Sequence, residues 1–266
     1  MRLFTPLCAL ILFARPAVSA PSIDDAFHRL YNFDFAASRS IADQYAAANP
    51  GDPMGPATRA AAWLFSELHR LNLLGKEFMT SDDRIKSGER ALPKEQARQE
   101  FLRSVAEAKA LAGDKNDVRS LLAMTIVYGL ERDYDALVEK RLRASLESAR
   151  ESQRYARRLI ARDPSQKDAY FTFGFSEYLV GSLPFFARWF MKMDGVEGNK
   201  ARGLEQLEIA ANEGRYLKPF AQMMLAMFYV REKRPVDSKR HLRELARENP
   251  GNPAVKAELT RIGGGE

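Results

Sequence analysis

Apolar residues recur every three or four positions through most of the chain, and no stretch alternates every second residue for long enough to argue for a strand. The pattern predicts an all-α protein. Residues 23–32 carry Ala26, Phe27, Leu30 and Tyr31 on one stripe, and residues 35–48 set Ile41 and Tyr45 on a facing helix, a first hairpin ended by Asn49-Pro50-Gly51-Asp52-Pro53. Residues 56–74 follow, with Ala60, Trp63, Leu64, Leu68 and Leu71 on the core face and Pro56 at a first helical position. The polar, charged stretch 75–93 reads as a long, mobile surface insertion. Helix returns over 94–112, stops at Gly113-Asp114, and restarts behind Asp117 with Leu121, Leu122, Met124, Ile126, Val127 and Leu130. No proline or glycine interrupts 134–162, so Leu137, Val138, Leu142, Leu146, Leu159 and Ile160 are expected on one long helix with an arginine-rich outer face.

Three dipeptides, Asn49-Pro50, Asp163-Pro164 and Asn249-Pro250, each close a helical stretch. Behind Pro164, Tyr170 precedes Phe173-Gly174, and ahead of Pro250 stand Leu225-Ala226, Tyr229, Ser238, Leu242 and Leu245. This spacing resembles the tetratricopeptide repeat, in which a large residue, a Leu-small pair and a Tyr pack two helices before a closing proline. The resemblance is strongest over 219–252, covers the first helix of the unit from Asp168, and is partial in the first hairpin. It implies antiparallel helix hairpins stacked as a solenoid, with small residues such as Gly174 and Ala226 allowing close approach. The proline stops are not spaced by multiples of the repeat length, so insertions are expected, and Leu259 behind Pro250 reads as a terminal capping helix. The stretch Gly195–Gly198, Gly203-Leu204, Leu207, Ala210-Ala211 and the Leu225 helix is also similar to the divergent tetratricopeptide family linked to inclusion-body clearance and the mitochondrial outer membrane.

In the tetratricopeptide family the first helix of each repeat lines a concave face. Carried over, the lining positions are Asp168, Phe171, Phe175 and Tyr178 in one repeat, and Phe220, Met223, Met227 and Val230 in the last. The implied groove is apolar and rich in Met, suited to a protein or peptide partner, or to a small apolar ligand held between the two helices. The competing reading buries these side chains under the insertion 182–198, whose Leu183-Pro184-Phe185-Phe186, Trp189-Phe190 and Met191 need a place to pack; Arg188, Lys192 and those aromatics could instead dip into a membrane interface.

Targeting comes from the start of the chain. Arg2, the apolar run 3–13 and Ala17-Val18-Ser19-Ala20 read as a signal peptide over 1–19, cut near 19/20 or 20/21. The run is too short to span a bilayer, which needs about 20 apolar residues. A single domain over 20–262 and a flexible tail over 263–266 remain, expected in a periplasm or cell envelope. Cys8 leaves with the signal, and Leu7 before it argues against lipidation, so no thiol is left for a disulfide, thiolate metal site or nucleophile. Loss of Arg2 and Arg15 lowers the formal net charge from +6 to +4. Arg141, Arg143, Arg150, Arg154, Arg157, Arg158 and Arg162 are broken up by Glu147 and Glu151, which favours a solvated helix face over a phosphate or anionic-lipid patch, and no nucleic-acid partner is expected.

Chemistry is sparse. His28, His69 and His241 lie far apart, and the last two read as surface or boundary residues; no catalytic set, metal site or cofactor is expected. Glu177, between Phe175 and Tyr178, is the one carboxylate in a strongly apolar run, but one acid forms no acid/base pair. The expected function is an exported, non-enzymatic binding or assembly scaffold for a protein or peptide partner in the cell envelope, the alternative being a carrier of a small apolar ligand.

Overall fold

A computed structural model of the protein describes residues 20–74, 93–183 and 198–263. Among them are eleven α-helices and no strand. The helices are α1 (Ile23–Tyr31), α2 (Phe35–Ala48), α3 (Met54–Arg70), α4 (Glu95–Ala112), α5 (Val118–Asp133), α6 (Leu142–Arg162), α7 (Ala169–Gly181), α8 (Lys200–Glu213), α9 (Lys218–Arg231), α10 (Pro235–Glu248) and α11 (Pro253–Gly263). Each packs on the next, giving five hairpins, α1/α2 to α9/α10, with α11 against α10. This is an all-α helical-repeat solenoid.

Two turn geometries recur. Between pairs, the residue before each proline leaves the helical region: Asn49 at φ −133°, Asp163 at −149° and Asn249 at −128°. The proline ring forbids the helical region to its predecessor, so the helix ends there. An amide or carboxyl oxygen then starts the next helix, Asp52 Oδ1 accepting from Met54 N at 2.8 Å and Asn252 Oδ1 from Ala254 N at 3.0 Å. Within pairs, Phe33, Asn72 and Lys233 sit in the left-handed region at φ 63°, 56° and 58°. The following amides reach back five residues, Asp34 to Arg29, Leu73 to Leu68 and Arg234 to Tyr229, at 3.0, 2.7 and 2.7 Å. That backbone pattern satisfies the last free carbonyls of a helix end.

The single long helix expected over 134–162 does not form. α5 runs on into one π turn, Tyr134–Val138, and breaks at Lys140, whose φ is 57°. Burial drives the break: Tyr134 stacks on Phe101 at 4.5 Å and its hydroxyl donates to Glu139, so the chain must turn back before α6 can pack on α5. As a result Leu142 and Leu146, expected on the core stripe, are exposed. α3 also starts earlier than expected, at Met54, and Leu73 and Leu74 are buried beyond its end. α11 packs through Val255 and Leu259, and of the expected tail Gly263 closes α11 while 264–266 lie outside the described residues. The expected signal peptide and most of both insertions, 75–92 and 184–197, lie outside them as well.

α7 and α8 approach most closely where neither has a side chain. A Cβ on Gly174 would sit 2.7 Å from the Gly203 carbonyl oxygen, and one on Gly203 would sit 2.6 Å from Tyr178 N. Elsewhere Arg59 ties three helices together, its buried guanidinium bonding Asp43 of α2 and both Ser104 and Glu107 of α4. The ends of the array also meet. Tyr31 Oη donates to the Tyr216 carbonyl at 2.9 Å, Asn252 Nδ2 donates to the Tyr31 carbonyl at 2.9 Å, and Gly251 N donates to Asn32 Oδ1 at 2.7 Å. α1 therefore lies across the turns that precede α9 and α11.

Candidate binding surfaces

Of the aromatic side chains expected to line a groove, Phe171 and Tyr178 are core residues, and Phe175 and Phe220 pack half-buried against that core. Phe171 lies 5.6 Å from Phe175 and 5.0 Å from Phe220, and Phe220 lies 5.2 Å from Phe65 of α3. Tyr178 stacks on Phe228 at 3.8 Å, and Met223 and Met227 are buried. Phe175 and Phe220 keep partial exposure, and Val230 is exposed. The Arg132 guanidinium, buried, lies 4.3 Å over the Phe175 ring and pairs with Asp133 at 2.8 Å, so the ring face and the carboxylate replace lost hydration. The partly open gap lined by Phe27, Tyr31, Phe65, Phe171 and Phe220 leaves about 30 Å³, room for a water or two. Among the described residues, inward packing of successive helices occupies most of the expected groove.

Asp168, placed by the resemblance on that face, performs a different task. It is buried and accepts from the amides of Arg215 at 2.9 Å, Tyr216 at 3.1 Å and Leu217 at 2.9 Å, fixing the α8–α9 turn. Burial holds its carboxyl above the ordinary Asp value against the opposing pull of those three donors.

Around that turn lies a polar seam. Asp52 accepts from the Tyr45 hydroxyl at 2.6 Å and from Arg119 Nε at 2.7 Å, and Arg119 also bonds the hydroxyls of Tyr45 and Tyr216. Burial opposes the Arg119 charge, but the bonds to Asp52 and Tyr216 outweigh it and raise its pKa. Arg215 clamps Asp24 of α1 with two bonds of 2.7 Å, and the Arg215 hydrogen bond lowers the Asp24 pKa. Two clefts flank Arg215, of about 180 Å³ beside Asp24, His28 and Glu248 and about 220 Å³ beside Arg119, Lys167 and Glu213.

A larger open cleft of about 450 Å³ lies between α8 and α9, floored by Glu208 and Tyr229 and rimmed by Lys200, Glu232 and Arg234. His241, expected at a surface or boundary, is fully buried beneath it, stacked on Tyr229 at 5.7 Å and 2.9 Å from Glu208 through Nε2. Glu208 also accepts from Tyr229 Oη at 2.7 Å and an Arg240 amino group at 2.7 Å. Burial pushes its pKa up, yet the bonds from His241, Tyr229 and Arg240 pull it down to about 2. A carboxylate so saturated with donors is a structural anchor and a poor proton acceptor. Glu177 is likewise engaged, by Arg202 Nε at 2.5 Å.

The remaining repeat positions pack as hairpin contacts. Leu225, Ala226, Tyr229, Ser238, Leu242 and Leu245 are buried between α9 and α10, Gly174 is buried against α8, Tyr170 and Phe173 are half-buried, and Pro250 is exposed. Among the described residues no three His, Cys, Asp or Glu side chains converge as a metal site, and no helix is long and apolar enough to cross a membrane.

Compared with known proteins, the chain matches no family model and no curated sequence.

The Glu208–His241 pair and the Asp168 turn were missed by sequence reading for different reasons. Ser238, His241, Leu242 and Leu245 fall at a core spacing of three, four and seven, so the burial of His241 had a signal that its charged neighbours Arg240 and Arg243 masked. The partners of Asp168 are 47 to 49 positions away, and no local pattern marks them.

Proposed function

We propose that the protein is an exported, non-enzymatic scaffold of tetratricopeptide-like hairpins that binds a protein or peptide partner in the cell envelope. The observation that carries this reading is the hairpin array, with its turns repeated in geometry and its two ends bonded together. Such an array presents an extended external surface on a stiff frame, the property that solenoids use for recognition. With Phe171, Tyr178, Met223 and Met227 buried and Phe175 and Phe220 packed half-buried, partner contacts fall on the second helices of the hairpins, α2, α4, α6, α8 and α10. The carrier alternative would require Phe65, Phe171 and Phe220 to part, since the space between them holds only about 30 Å³.

The test is photo-crosslinking in the native envelope, with a photoreactive residue placed in turn at the exposed positions Gln44, Gln99, Arg157 and Arg243 and at buried Met227. The scaffold reading expects one discrete adduct from a subset of the exposed sites and none from Met227. Adducts from none of the four exposed sites, in a folded protein, would remove it.

A further inference from the structure

Five cations among the described residues lie within 4.5 Å of an aromatic ring centroid, and four of them also meet a carboxylate of the chain. Lys109 over Tyr128 pairs with Glu131, Arg132 over Phe175 with Asp133, Arg154 over Tyr155 with Glu151, and Arg234 over Tyr229 with Asp237. Arg39 of α2 is the fifth. Its guanidinium lies 4.1 Å over the Trp63 ring of α3, and no carboxylate among the described residues pairs with it.

That missing anion is costly where Arg39 stands. Arg39 and Trp63 are both half-buried, and Arg39 Nη1 is closed off from solvent without any acceptor. Asp43, one turn further along α2, is taken by Arg59 at 2.8 Å. Burial lowers the Arg39 pKa, and the charge of Asp43 opposes that shift without cancelling it. An aromatic face replaces part of the hydration a guanidinium loses, but a cation held partly out of water is compensated fully only by an anion. At the other four rings the chain supplies one itself.

We propose that the fifth anion comes from outside the chain: an acidic side chain of the protein partner meets Arg39 in the seam between α2 and α3, with Trp63 as the apolar surface beside it. This contact rests on the scaffold reading and names what the partner presents to α2. Arg and Trp are the residue types that most often carry the energy of a protein interface. The planar fork of a guanidinium also matches a carboxylate through two parallel bonds, which makes the recognition directional. A protein carboxylate fits the site better than a lipid phosphate, because no large hydrophobic side chain is exposed on α2 or α3 to enter a bilayer and one cation alone adds little membrane affinity.

The experiment is a fluorescence titration of the mature protein carrying Trp189→Phe, which leaves Trp63 as its one tryptophan. The probes are end-blocked tetraglutamate, end-blocked tetraglutamine, and vesicles of phosphatidylcholine with phosphatidylglycerol. Tetraglutamate should change the Trp63 emission saturably, and tetraglutamine and the vesicles should not. Arg39→Gln should weaken the tetraglutamate affinity about tenfold, and Arg39→Lys, which keeps the charge without the fork, about threefold. Arg247→Gln removes the same charge from an exposed position on α10 and should leave the affinity unchanged. No response to tetraglutamate, or a response that Arg39→Gln leaves intact, would overturn the proposal, as would a lower melting temperature in Arg39→Gln with unaltered binding, the mark of a stability contact only. A response to the vesicles alone would assign the site to lipid phosphate instead. In the native envelope, a photoreactive residue at exposed Ala36 tells this contact from the scaffold reading. An Ala36 adduct lost in Arg39→Gln is the expected result. Adducts at the other outer positions, with none at Ala36 that depends on Arg39, would remove the acidic contact and leave the scaffold standing, whereas adducts at none of them would remove both.

Discussion

The Tyr31 hydroxyl donates to the backbone carbonyl of Tyr216 at 2.9 Å, joining the first helix to the turn before α9 across 185 positions of sequence. Both residues are buried, and burial raises the Tyr31 pKa, so the hydroxyl stays a donor at any ordinary pH. This bond, with those of Asn32 and Asn252, makes the two ends of the solenoid one body. Tyr31→Phe should therefore cost about 1–3 kcal/mol, the desolvation cost of a buried carbonyl left without its donor. Thermal unfolding should show a drop of about 2–4 °C per kcal/mol lost, as expected for a chain of this size.

Stability should fall in acid through Glu208. Its carboxyl is held at about 2 in the folded protein against an ordinary value of 4.5, so the folded state prefers the ionised form. The contribution is fully present well above pH 4.5 and is lost as pH falls from there towards 2. Chemical denaturation at pH 6 and at pH 3 measures it. Glu208→Gln should lower stability at pH 6 and flatten the profile across this window, whereas a slope equal to wild type would assign the acid sensitivity to other groups.

Gly174→Ala should destabilise by about 2–3 kcal/mol, because the added methyl meets the Gly203 carbonyl and the Leu207 amide, backbone atoms that cannot rotate away. Gly51→Ala meets nothing within 4 Å and serves as the matched control. Equal melting temperatures for the two variants would mean that α7 and α8 cross less closely than described.

Lys233→Gly should stabilise the protein by about 0.5–1 kcal/mol, since a side chain at φ 58° carries a steric cost that glycine lacks. Phe33→Gly, at φ 63°, should gain less or lose, because Phe33 packs at 5.3 Å on Phe35 and 5.0 Å on His69. Denaturant midpoints of the two variants, compared at equal slope, check the difference.

The hairpins were legible because their signals are local. The apolar stripe of α1, the Asp117 cap and the proline stops each act within a turn of helix, and Asn49 and Asn249 share nearly the same dihedral angles because each precedes a proline. The break at Lys140 had no such signal, since lysine in the left-handed region is unmarked in sequence and the cause, the stack of Tyr134 on Phe101, joins residues 33 positions apart. Filling of the concave face was equally hidden. A repeat position states which side of a helix faces inward, but whether that side meets solvent or another helix depends on how tightly the array winds, which contacts such as Phe65 with Phe220 decide.

The first hairpin and the last helices form one cooperative unit. Native-state hydrogen exchange tests it directly, comparing wild type with Asn32→Ala, which removes the acceptor of the Gly251 amide. The amides of Gly251 and of α11 should lose protection together with those of α1, while α4 and α5 keep theirs. Unchanged protection of Gly251 and α11 in the variant would contradict it.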